Sequence, residues 1–202
     1  MIPASHVALG FRAHSGWAAV VALAGPPRSP EVIDRRRIEL VERGAPGGVQ
    51  PYHAARNLDS RKAEQFIAGV IEAADRAALR AIDALTEKLS SKNKKIVSCG
   101  IVLASGRVLP SLDATLKSHA LVHTAEGELY RSAIAHAAKR HGWKILGVKE
   151  RELYEFAAKQ LRIPTEKLRL RVAEMGRAVG SPWSADEKSA TLVAWLSLLA
   201  AS

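Results

Sequence analysis

Ile96-Val-Ser-Cys-Gly-Ile-Val-Leu-Ala104 is the stretch on which the fold turns. It is an uncharged, largely apolar run between a basic turn, Ser90-Ser-Lys-Asn-Lys-Lys95, and Ser105-Gly-Arg107. A run of that kind reads as a strand buried on both faces, as in the middle of a covered sheet. Upstream, Phe66, Ile67, Val70, Ile71, Ala74, Ala78, Ala81, Ile82, Leu85 and Leu89 recur at helical spacing. They predict one long amphipathic helix over about 60–89. Its other side carries Arg61, Lys62, Glu64, Arg76, Arg80 and Lys88, a solvated face.

Further toward the N-terminus, Val7–Phe11 and Trp17–Leu23 read as two strands. Gly16 sits in the turn between them, where an awkward backbone angle is needed. Gly25-Pro-Pro27 ends the second, and Glu31–Val41 reads as a third. Arg35-Arg-Arg37 would alternate faces within it, which suits an edge strand with a wet side, since three arginines cannot all be buried. Gly44 to Pro51 is glycine- and proline-rich loop, followed by Tyr52, His53 and Arg56.

Downstream of the buried strand comes His123-Thr-Ala-Glu-Gly-Glu-Leu-Tyr-Arg131, with an imidazole, two carboxylates, a hydroxyl and a guanidinium within nine residues. Thr124 is expected as a helix N-cap, with Glu126 and Glu128 in the first turn against the positive end of the dipole. The helix should run to about Arg140, and Trp143–Val148 should form the last strand. C-terminal helices fill about 150–200, interrupted at Ile163-Pro164. Ser184-Ala-Asp-Glu187 matches a capping box at the start of the last one.

Thirty Lys and Arg against twenty Asp and Glu give a net charge of +10, a field that attracts polyanions such as DNA or RNA. Apolar residues make up 48% of the chain and aromatics only 5%, so the core must be built of Ala, Leu, Val and Ile. A single cysteine, Cys99, rules out an intrachain disulfide and a multi-cysteine metal site, and fits a cytoplasmic location. No segment reaches the roughly 18 continuous apolar residues of a membrane span, and the N-terminus lacks signal-peptide order. No membrane partner is expected.

Three strands, then helix, strand, helix, strand and terminal helices, predict an α/β fold with a mixed five-stranded sheet and helices packed on it. A right-handed crossover would set the first and fourth strands side by side. This order, with Leu9-Gly-Phe-Arg-Ala-His-Ser-Gly16 and Asp186-Glu-Lys-Ser-Ala190, resembles the ribonuclease H-like superfamily and its Holliday-junction resolvase branch. The resemblance implies one such domain over 1–202. It also implies acidic metal ligands, and here the chain departs from the pattern. Arg12 stands where the first strand usually ends in aspartate, and Leu103-Ala-Ser-Gly-Arg107 has no acid where the fourth strand usually supplies glutamate. Asp186 matches the first acid of the last helix, but Ser189 stands at the second. A pair of Mg²⁺ ions about 4 Å apart needs several converging carboxylates.

On that topology a cleft is expected at the carboxyl ends of the first and fourth strands. His123, Glu126, Glu128, His14 and Asp186 are the candidate catalytic residues, and Arg12, Arg107, Arg131 and Lys188 the candidate phosphate-binding cations. His123 or His14 would serve as general base, with Arg12 and Arg107 stabilising charge. Each also has an ordinary explanation as turn, helix-start or surface chemistry. The spacing His123-x-x-Glu126 is common by chance, so no metal is assigned and no cofactor is read. Two classes stay open: a nucleic-acid-associated protein on a scaffold with a degenerate metal site, and a nuclease or phosphoesterase with a rebuilt His/Glu/Arg centre. The sequence leans to the first and does not specify an oligomeric state.

Overall fold

The computed structural model describes residues 5–104, 106 and 108–201. Its five strands are β1 (Ser5–His14), β2 (Trp17–Ala24), β3 (Glu31–Glu39), β4 (Lys94–Leu103) and β5 (Lys144–Lys149). They form one mixed sheet in the order β3-β2-β1-β4-β5. The β1–β2 and β2–β3 pairs are antiparallel, and the β1–β4 and β4–β5 pairs are parallel. The buried run therefore lies inside the sheet between β1 and β5, and the arginine-rich β3 lies at an edge, both as its composition predicts.

Helices cover the two faces. Between β3 and β4 come α1 (Pro51–Ala55) and α2 (Ser60–Ser90); between β4 and β5 come α3 (Leu112–Lys117) and α4 (His119–Arg140). After a 3₁₀ turn at Glu150–Glu152 follow α5 (Leu153–Leu161), α6 (Thr165–Val179) and α7 (Ala185–Ala201). Period-two alternation along the strands assigns the faces. Val7, Leu9, Phe11, Cys99 and Ile101 share a core with Ile67, Ala78, Ile82 and Leu85 of α2 and Val122, Tyr130 and Ile134 of α4. Ala8, Val21, Leu23 and Val102 share the opposite core with Leu153, Leu168, Val172 and the apolar side of α7.

Two glycines set how near α7 lies to the sheet. A Cβ on Gly10 would stand 1.8 Å from the Ala190 carbonyl oxygen, and one on Gly100 would stand 2.2 Å from that of Val193. With hydrogen there instead, α7 lies across β1 and β4 almost backbone to backbone. The buried Ser98 hydroxyl donates to Ser197 O at 3.0 Å, and Trp195 Nε1 donates to Pro27 O at 2.7 Å, so the polar atoms at this interface are paired.

The loop-to-helix motif starts earlier than the sequence suggests. Ser118, not Thr124, caps α4, its hydroxyl accepting from Leu121 N at 3.4 Å. The Thr124 hydroxyl instead donates back to Ala120 O at 2.9 Å, as mid-helix threonines do. Glu126 and Glu128 thus sit about two turns inside the helix rather than in its first turn. Two short helices, α1 with Pro51 as its first residue and α3 capped by Ser111, fall outside the helices predicted from the sequence.

Candidate functional site at the carboxyl edge of the sheet

Strand register places the first group of side chains. In β1, Ala8, Gly10, Arg12 and His14 share the face that α7 covers, and Ala190 of α7 crosses at Gly10. Beyond that crossing, Arg12 and His14 emerge past the N-terminus of α7. The pairs His14↔Trp17 and Arg12↔Ala19 in β1–β2, and Trp17↔Glu39 and Ala19↔Arg37 in β2–β3, extend the same face toward the β3 edge. His14, Trp17 and Glu39 form one cross-strand row, and Arg12, Ala19 and Arg37 the next.

The contacts in these rows are specific. His14 Nε2–H donates to Asp186 Oδ1 at 2.9 Å, joining the strand end to the first turn of α7. The His14 ring stacks on Trp17 with centroids 4.4 Å apart, and the Arg37 guanidinium lies 4.2 Å from the Trp17 ring centre. Arg12 Nη2 donates to both carboxylate oxygens of Glu150, at 2.9 and 3.0 Å, in the turn after β5. Arg35, in the next row of the same face, donates to Ser181 O at 3.2 Å and also to Pro182 O. Arg36 points to the other face, where Nε and Nη2 each lie 2.7 Å from the Asp34 carboxylate. Burial alone would raise the Asp34 carboxyl, but hydrogen bonds from Arg36 and Lys88 outweigh it and hold the group below its ordinary range. At α7, Glu187 accepts from Ser184 N at 2.8 Å and the Ser184 hydroxyl accepts from Asp186 N at 3.1 Å. The capping box therefore fixes the turn that carries Asp186. Lys188, two residues on, is turned about 200° around the helix from Asp186.

The remaining expected residues are in a different layer. His123, Glu126, Glu128 and Arg131 belong to α4, which packs on the face opposite α7 because Val122, Ala125 and Ile134 complete the β1–α2 core. Among the described residues, no hydrogen bond or ion pair joins them to His14 or Asp186. This corrects the expectation of one cleft lined by all of them. Arg131 is buried, and its Nε donates to Glu128 Oε2 at 3.0 Å, so the two expected site residues neutralise each other. Glu126 is 1% exposed and accepts from His53 of α1, at 2.9 Å from Nδ1 and 3.2 Å from the backbone N–H. The Tyr52 and Tyr130 phenols lie near this carboxylate. Burial first, and the charge of Glu126 second, raise both, Tyr130 to about 12. Ser105 and Arg107 lie outside the described residues.

Sequence alone gives no sign that His53 and His119 meet at one place. Helix α4 begins at His119, which makes His119 and His123 an i,i+4 pair on one face. A helix start placed at Thr124 hides that relation.

No family model matches the chain, and no curated protein resembles it in sequence. Among solved structures it is similar to Thermus thermophilus RuvC in complex with Holliday junction substrate, with a TM-score of 0.52 and 9% identity over 94% of this chain and 90% of that one. A second structure of Thermus thermophilus RuvC aligns with a TM-score of 0.51, again at 9% identity, over 94% and 91%. The fold is ribonuclease H-like. At that identity the likeness speaks for architecture, and the site must be judged on its own residues.

The donor set does not fit an acidic two-metal centre. Among the described residues at this edge, Asp186 is committed to His14, Glu150 accepts at both oxygens from Arg12 Nη2, and Glu39 accepts from Arg37 Nε at 2.7 Å. A guanidinium so placed opposes a divalent cation by direct repulsion. What the arrangement offers instead is a half-buried indole between an imidazole and a guanidinium, with Arg12 and Arg37 paired to Glu150 and Glu39 and Arg35 bonded to backbone carbonyls. Such a surface suits the π-faces of bases and the charge of phosphates.

Proposed function

We propose that this chain binds nucleic acid along the carboxyl edge of its sheet, on a ribonuclease H-like scaffold whose acidic metal cluster has been replaced by a basic and aromatic surface. The observation that carries this reading is the face shared by Arg12, His14, Trp17, Arg35 and Arg37. Phosphates would meet Arg35 and Arg37, while an unstacked base would lie against Trp17 in place of one of its present neighbours. The net charge of +10 supplies the longer-range attraction. The neighbouring RuvC fold is seen with a Holliday junction, which makes branched DNA a natural member of the substrate panel.

The test is a titration of single-stranded, duplex, hybrid and branched nucleic acids at several salt concentrations in the presence of a chelator. Counterion release predicts that log K falls linearly with log salt, with a slope of roughly −0.9 per phosphate engaged on duplex DNA. Trp17→Ala should weaken single-strand binding by about 1–3 kcal/mol per stacked base. Arg35→Ala with Arg37→Ala should flatten the salt slope by about one for each phosphate no longer engaged. Binding no tighter than that of a neutral control protein at low salt would refute the proposal.

The hydrolase alternative rests on the His14–Asp186 pair. Asp186 orients the ring and leaves Nδ1 to act as general base toward a water or hydroxyl. Under that reading His14→Ala would cost ~10²–10⁴ in turnover. If the chain only binds, there is no turnover to lose.

A further inference from the structure

We propose that His53, His119 and His123 form a binding site for one divalent transition-metal ion of the zinc class, with Glu126 as the carboxylate that orients His53. The site is separate from the Arg12–Asp186 edge and independent of the nucleic-acid reading, since α1 and α4 belong to the opposite layer of the sheet. One ligand atom from each imidazole lies within 4.8 Å of the other two. His119 Nε2 and His123 Nε2 are 3.1 Å apart, and the His53 ring centroid is 4.8 Å from that of His123 and 5.5 Å from that of His119. Zinc–nitrogen bonds of about 2.0–2.1 Å in a tetrahedral site put ligand nitrogens about 3.3 Å apart. The helical pair already meets that spacing. His53 must move closer to them, a ring adjustment at a site where His119 and His123 are solvent-exposed.

The hydrogen-bond geometry supports the same assignment. An ionised carboxylate only accepts, and Glu126 accepts from both the backbone N–H and Nδ1–H of His53. A carboxylate in that place favours the Nδ1–H tautomer, with Nε2 turned to a metal, as in carboxylate–histidine–metal triads. Glu126 is almost wholly buried and its only direct partner among the described hydrogen bonds is His53, so its role is to hold that ring. The Nε2 atoms of His119 and His123 face each other at 3.1 Å, a distance at which a single shared proton would join them. A divalent ion would displace it and satisfy both nitrogens. Imidazole donors select zinc, copper or nickel over the hard, oxygen-seeking Mg²⁺. Three protein ligands leave a fourth position open to solvent.

The experiment uses the full chain after chelator treatment and dialysis. It is titrated with Zn²⁺ by calorimetry and with Co²⁺ by visible absorption, which reports tetrahedral coordination. One Zn²⁺ per chain is expected, with no comparable response to Mg²⁺. His119→Ala and His123→Ala should each weaken binding at least 100-fold, and Glu126→Gln should weaken it 10–100-fold with the histidines intact. His136→Ala, an exposed histidine paired with Asp75 elsewhere on α4, should change nothing. If Glu126→Gln fails to fold by circular dichroism, the two surface variants decide the matter. Absence of Zn²⁺ binding by the wild-type chain, or stoichiometric binding that survives loss of both His119 and His123, would overturn the proposal.

Discussion

Replacing Gly10 by alanine is expected to destabilise the chain by about 3 kcal/mol or more, the upper end of the usual cost of overpacking a core. The added Cβ would meet the Ala190 carbonyl oxygen at 1.8 Å and Ala194 N at 2.8 Å, against ordinary contact at 3.4–4 Å. The obstacles are helix backbone, which has no rotamer to yield, so α7 must retreat by roughly 1.5 Å. That retreat would draw Asp186 away from His14 and unseat the edge of the candidate site. The same chemical change at Gly69 provides the control. There a Cβ meets nothing within 4 Å on an exposed turn of α2, so Gly69→Ala should stabilise by about 0.5–1 kcal/mol through helix propensity alone. Urea unfolding midpoints of the two variants and the wild type make the comparison. A Gly10→Ala variant within about 0.5 kcal/mol of wild type, the range of an ordinary surface substitution, would show that α7 does not lie across β1 as described.

Cys99 is buried, and that burial pushes its thiol up from an ordinary 9.0 to about 12. It should resist thiol reagents in the native state at pH 8 and react at once on unfolding. Its raised value, with that of Tyr130, means that stability is complete below pH ~9 and declines as pH rises toward 12, because the unfolded chain releases these protons first. Thermal unfolding between pH 7 and 11 reads that slope, and a flat profile would contradict it. Asp34 acts at the other end. Its lowered carboxyl contributes stability above an unfolded value near 3.8 that is lost as pH falls through the native one. Asp34→Asn should cost about 1–2 kcal/mol at pH 7, discounted because Lys88 is half exposed, and should blunt the acid-side loss of stability.

Much of the architecture was legible because its signals are local. The uncharged Ile96–Ala104 run read as an interior strand, the α2 pattern needed one apolar stripe, and three consecutive arginines marked an edge. What the sequence could not reveal was which face each element would cover. His14 and His123 looked like neighbours because both follow sheet strands, yet α4 and α7 bury against opposite cores. The partner of Arg12, Glu150, lies far along the chain with nothing local to connect them. His53 came to Glu126 through α1, a helix of five residues with too short a pattern to recognise.

The central claim is that the carboxyl edge binds nucleic acid without an acidic metal centre. It is tested most directly by fluorescence anisotropy of labelled single-stranded and branched DNA, with chelator present, against wild-type chain and the Trp17→Ala/Arg37→Ala double variant. The account predicts salt-sensitive binding by the wild type, no requirement for divalent ions, and marked weakening in the variant. Binding that requires Mg²⁺, accompanied by cleavage that Asp186→Asn abolishes, would contradict it.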